Sequence, residues 1–119
     1  MKYVCLVYHE ESTLDAMSKH ESDDYTRQNM TNDEDLRQRG HLIIAQALQS
    51  VRTAVTVRVR NNRLSTTDGP FAETREQLGG LVMIEARDLN EAIQIAATMP
   101  PARVGCIEVR PALELEWPT

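Results

Sequence analysis

Asp68 to Gly80 reads DGPFAETREQLGG, and the fold can be read outward from it in both directions. Asp68-Gly69-Pro70 breaks any regular pattern, as a turn does. Phe71 to Leu78 is a short irregular or one-turn helical piece, closed by Gly79-Gly80. Upstream, Thr53 to Arg60 (TAVTVRVR) alternates strictly. Thr53, Val55, Val57 and Val59 face one way; Ala54, Thr56, Arg58 and Arg60 face the other. Asn61-Asn62 is a two-residue turn tolerant of positive φ, and Arg63 to Thr67 returns as the partner strand. Downstream, Leu81 to Ala86 (LVMIEA) is a strand. Asp88 then caps a helix over Leu89 to Met99, with Glu91 placed as in a capping-box variant. Pro100-Pro101 stops it, and Val104 to Arg110 (VGCIEVR) is the last strand.

The first half supplies the matching elements. Lys2 to Tyr8 (KYVCLVY) is a strand apolar on both faces, with Tyr3, Cys5 and Val7 against Val4, Leu6 and Tyr8. Leu14 to Arg39 lacks Gly and Pro and fits a helix capped by Ser18 or Ser22. One stripe of it runs Leu14, Met17, Glu21, Tyr25, Asn29, Asn32 and Leu36, so two asparagines stand where a core-facing helix carries apolar groups. Asn32-Asp33 is a candidate break. Gly40 ends the segment, and His41 to Leu48 (HLIIAQAL) is the second strand. The order is β, α, β, inserted hairpin, β, α, β. With the hairpin set aside, this is an α+β, ferredoxin-like split βαβ plan. Helices then cover one face of a sheet whose strands are apolar on both. A second copy covers the other face, which predicts a homodimer through the sheet face.

The bulk numbers bound the partners. The 119 residues make one domain over 1–119, with 110–119 as a C-terminal tail or arm. Hydrophobic residues at 41% and charged residues at 26% match a globular chain, so overall disorder is excluded. The net charge of −5 argues against a nucleic-acid partner. Arg58, Arg60 and Arg63 form a local basic patch or simply solvated strand edges. Cys5 and Cys106 sit inside strands as buried thiols, and neither has the neighbours of a metal site. No signal peptide and no apolar run of membrane-spanning length is visible, so a soluble, cytoplasmic protein without membrane contact is expected.

The hairpin entering TTDGPFAETREQLGG, then LVMIEARDLNEAIQIA, then PPARVGCIEVRP, resembles the DGPF branch of the YCII-related family. The opening KYVCLVY and GHLIIAQAL fit as well, so the resemblance covers nearly the whole chain. It implies a dimeric α+β barrel, two ferredoxin-like subunits sharing one barrel. It implies little about activity. Some YCII-like relatives are thought to act on small aromatic or chlorinated compounds with a His-Asp pair, and DGPF members often occur beside extracytoplasmic-function sigma factors. The first helix departs from the family pattern: YTRQNMTNDED stands where relatives carry an aromatic-rich segment, so their ligands do not transfer directly.

The candidate catalytic residues are Asp68, Glu73 and Glu76. Asp68 heads a Gly-Pro turn, where its carboxylate either accepts backbone N–H bonds or serves as a general base. Glu73 and Glu76 share one side of a helical turn, as paired carboxylates or as a solvated face. Arg75, Arg110 and Tyr8 are the ligand-binding candidates; Glu108 and Arg110 share a strand face and either pair or line a cavity. His9, His20 and His41 include no aligned family histidine, though His9 can reach a cleft rim. Gly79-Gly80 lacks the spacing of a phosphate loop and permits close backbone approach at a strand start. No cofactor and no metal is expected. Two functions stay open. One is a small metal-independent enzyme of lyase, isomerase or hydrolase type acting on a small organic molecule. The alternative is a non-catalytic ligand-binding or regulatory dimer linked to sigma-factor or transcription control.

Overall fold

A computed structural model describes residues 1–119. Its elements run β1 (Lys2–His9), α1 (Glu11–Asp15), α2 (Lys19–Gln38), β2 (Leu42–Ala47), a 3-10 turn (Val51–Thr53), β3 (Val55–Arg60), β4 (Arg63–Asp68), β5 (Gln77–Glu85), α3 (Leu89–Thr98), α4 (Pro101–Val104) and β6 (Cys106–Pro111). The main sheet has the order β2-β5-β1-β6, antiparallel throughout, which is the ferredoxin-like α+β arrangement. Within one chain this sheet stays open. β3 and β4 form a separate two-stranded sheet.

Local chemistry explains most boundaries. Ser18 accepts from the Glu21 N–H while Glu21 accepts from the Ser18 N–H, a full capping box that starts α2 at Lys19. Ser18 is thus the internal start that the sequence allowed, and α1 lies ahead of the cap. Asn32-Asp33 does not break α2. Gly40, at φ +80, ends the turn after α2. Asp88 accepts from the Glu91 N–H, and Glu91 reaches back to the Arg87 N–H. Asn61 and Asn62 hold φ of 52° and 61°, the left-handed pair a two-residue hairpin requires.

The core lies on one face. Tyr3, Cys5, Val82 and Ile84 pack against Leu36 of α2, Ala92, Ile95 and Ala96 of α3, and Met99. Leu36 is the only buried residue of α2. On the other face Val4, Leu6, Leu81 and Met83 lie side by side across β1 and β5, and no helix covers them. Burial is confined to 14 of 119 residues. The radius of gyration is 16.6 Å, against about 13.5 Å for a compact chain of this length. The excess comes from the β3–β4 arm and from the tail beyond β6, both of which stand in solvent.

Three expectations need correction. Gly79-Gly80 lies inside β5 rather than before it. Phe71 to Glu76 takes the irregular of the two expected forms, but Gln77 and Leu78 already belong to β5. Cys5 is buried, but Cys106 is exposed because it occupies the uncovered face of an edge strand.

Candidate functional site

The asparagines of α2 have their explanation in a cavity. Tyr25, Asn29, Asn32 and Leu36 form the inward stripe of the helix, yet only Leu36 reaches the core. The other three line a cavity of about 470 Å³ between α2 and the sheet. Val7, Ala45 and Val82 of the sheet and Met99 after α3 give it an apolar wall, and Asn29, Asn32 and Asp33 of α2 give it a polar one. Asn29 donates to the Tyr25 carbonyl at 2.9 Å. The Asn32 Nδ2 is buried and has no hydrogen-bond partner. A donor left unsatisfied in this way costs about 1–3 kcal/mol, which an acceptor placed beside it recovers. Burial pushes the Asp33 carboxyl up from its ordinary value, against the opposing pull of Arg37. Burial likewise pushes the Tyr25 phenol up.

His9 enters the same cavity through a defect in the sheet. Val7 pairs with Gly80 and Tyr8 with Leu78, so Gly79 is an extra residue in β5, a β-bulge. The His9 ring lies where a side chain at position 79 would stand: an added Cβ would be 2.0 Å from its Cε1. Only glycine leaves that space. Glu11, two residues onward at the start of α1, accepts from the Ser50 hydroxyl at 2.8 Å and the Val51 N–H at 2.7 Å. Those bonds hold the Glu11 carboxyl below its usual range, helped by the charges of Arg52 and His9. A fixed carboxylate therefore lies near the imidazole. Across the cavity and its rim, no group of three or more His, Cys, Asp or Glu side chains is arranged to hold a metal ion.

The residues singled out in the sequence lie elsewhere. Asp68 ends β4 in solvent, and its carboxylate accepts no hydrogen bond. The turn is held by the backbone instead: Gly69, at φ +101, donates to the Ala54 carbonyl, and its own carbonyl accepts from the Thr56 hydroxyl. Glu73 is exposed. Glu76 sits near the Cys106 thiol, at 3.8 Å. Desolvation and then the Glu76 charge raise the Cys106 pKa. Arg110 pairs with Glu108 on the uncovered sheet face, where Tyr8 stands opposite Cys106. Asp68, Glu73, Glu76 and Arg110 do not converge on one cavity within the chain. Arg75 comes nearest to the site: its Nε donates to Glu10 at 2.7 Å, while the Gln77 carboxamide accepts from the Glu11 N–H. The end of the DGPF stretch is thus fastened to the cavity rim. A second, wholly apolar groove between α3 and β6, lined by Leu89, Ile93 and Ile107, has no polar group with which to do chemistry.

The sequence profile of the YCII-related domain matches residues 1–116. The chain belongs to the YCII-related family. It is 34% identical over 113 residues to an uncharacterised protein of Rhizobium meliloti (strain 1021), an alignment covering 93% of this chain and 91% of that protein. Membership agrees with the ferredoxin-like fold and assigns no reaction. No helix of this YCII-related chain is long and apolar enough to cross a membrane.

Proposed function

We propose that this chain is a small enzyme that binds a compact, largely apolar organic molecule in the cavity beneath α2 and moves a proton on it without a metal. The observation that carries this is the pairing of an apolar sheet wall with a polar helix wall around His9, where the buried Asn32 Nδ2 lacks an acceptor. Such a cavity orients a ligand by one oxygen while its body packs on aliphatic side chains. An imidazole is the side chain best suited to proton transfer near neutral pH, and the fixed Glu11 carboxylate lies near it. In this proposal the protein is of the DGPF branch and works in the cytoplasm as a homodimer. Its uncovered face of Val4, Leu6, Leu81 and Met83 packs on a second copy to complete the barrel. Asp68, Glu73, Glu76 and the ligand-binding candidates Arg75, Arg110 and Tyr8 then contribute to chemistry through the second subunit, since alone they face outward.

The test is a thermal-shift screen of small organic molecules followed by assay of the hits. A hit should be turned over by the wild type. His9→Ala should still bind it while turnover falls by about 100-fold or more. Turnover by His9→Ala at the wild-type rate would reject the assignment. The second function, a non-catalytic regulatory dimer, is favoured by the solvent exposure of every carboxylate in the DGPF stretch. It predicts hits that stabilise the protein and are never converted.

A further inference from the structure

Two segments stand in solvent with a strict alternation and nothing packed against them. The first is the β3–β4 arm. Val55, Val57 and Val59 are 58, 61 and 58% exposed, and Leu64 beside them is 69% exposed. A lone two-stranded hairpin is marginal in water. The other face of the arm carries Arg58, Arg60 and Arg63, and Arg60 stands directly opposite Arg63. Like charges so placed repel, and none of the three has an acidic partner. The second segment is Leu113 to Trp117, LELEW. It has no regular structure, and Leu113, Leu115 and Trp117 are 83, 86 and 95% exposed.

We propose that Leu113 to Trp117 of a second copy of this chain adds to the free edge of β3 as a third strand. β3 pairs only with β4, so its outer edge is open. Extended segments add to such edges through main-chain hydrogen bonds, and alternate side chains then choose the partner. Here the alternations are complementary: VRVR over Val57 to Arg60 against LELE over Leu113 to Glu116. Neighbouring strands share faces. Setting Leu113 and Leu115 beside the valines therefore sets Glu114 and Glu116 beside Arg58 and Arg60, where they offset the Arg60–Arg63 repulsion.

The occupant is a second copy because the chain's own segment cannot reach the base of the arm. The Ala112 N–H donates to the Lys2 carbonyl, so the tail leaves at the start of β1. The arm is fastened past the other end of β1, where Val51 meets Glu11. The strands leading to them, β6 and β2, are opposite edges of the sheet. β1 has eight residues, so the two points are roughly 25 Å apart along it. Trp117 is five residues beyond Ala112 and reaches at most about 18 Å. The inference shares the two-copy assembly of the proposed function but uses a different contact from the sheet face.

The experiment is a directed disulfide in a Cys106→Ser background. A Val59→Cys chain and a Leu115→Cys chain are purified apart, mixed and oxidised, since either strand direction that sets Glu114 and Glu116 beside Arg58 and Arg60 sets Leu115 beside Val59; Cys5 is buried and takes no part. The expected product is a covalent dimer containing one of each chain. In the chain carrying both substitutions, the expected bridges run between chains. No mixed dimer, or a bridge closed within one chain, overturns the proposal. Hydrogen exchange gives a second arm: removal of residues 113–119 should speed exchange of the outer β3 amides by about tenfold or more. Unchanged β3 exchange in a protein that remains dimeric would sink the strand addition and leave the sheet-face dimer standing.

Discussion

Replacing Gly79 by alanine should be costly only while His9 is present. The added methyl would lie 2.0 Å from His9 Cε1 and 2.7 and 2.8 Å from the ring nitrogens. Non-bonded carbons settle at about 3.5–4.0 Å, so the ring must retreat by about 1.5–2 Å. Overpacking of this kind costs about 1–3 kcal/mol. The cavity on one side of the ring lets it swing away, which puts the cost at about 1–2 kcal/mol. Alanine recovers about 0.5–1 kcal/mol relative to glycine through the unfolded chain. Gly79→Ala alone should therefore destabilise by about 0.5–1 kcal/mol. In a His9→Ala background it should be neutral or slightly stabilising. The coupling between the two sites, about 1–2 kcal/mol, exceeds the about 0.5 kcal/mol scatter of independent sites. Urea denaturation of the four proteins measures it. An equal cost of Gly79→Ala in both backgrounds would refute the claim that the bulge exists to seat the His9 ring.

Other perturbations check separate parts of the account. Gly105→Ala places a methyl 2.0 Å from the Tyr8 carbonyl oxygen, a backbone atom that cannot step aside; denaturation should show a loss of about 2–4 kcal/mol. Asp33 has a raised pKa in the folded state, so its ionisation opposes folding above the unfolded carboxylate value and has no effect below it. Asp33→Asn should accordingly raise the melting temperature at pH 7, with the gain fading as the pH falls towards about 4; a gain independent of pH would contradict this. Cys106 should react slowly with iodoacetamide at pH 8 despite its exposure, and Glu76→Gln should quicken it by removing the neighbouring charge. Cys5, pushed up to about 11 by burial, should stay unreacted until the protein unfolds.

The sheet was legible because its strands are short, β-branched and bounded by turn residues, and because Asn61-Asn62 and Asp88 carry unambiguous local chemistry. The two-layer plan followed from element order alone. The site was less legible for a physical reason. An inward helix stripe with asparagines looks like a poor core face, and only the cavity beside it distinguishes a weak helix from a lining one. Asn29 and Asn32 were visible as anomalies in the sequence, and that anomaly was the available signal. Gly79-Gly80 was visible as a point of close backbone approach, but the bulge at Gly79 was not, because it depends on the register between β1 and β5, which no local pattern records. The DGPF stretch drew attention to Asp68, but Gly69 does the conformational work there through its positive φ and its backbone bonds. Cys106 read as buried because the edge position of β6 is set by strand order rather than by its own residues.

The most direct test of the cavity as the working site is an NMR titration of the labelled protein with a small organic molecule that raises its melting temperature. The account predicts amide shift changes at Asn29, Asn32, Gly79 and Gly80, together with displacement of the His9 ring resonances. Changes confined to Asp68 to Glu76, with the cavity residues unmoved, would contradict it.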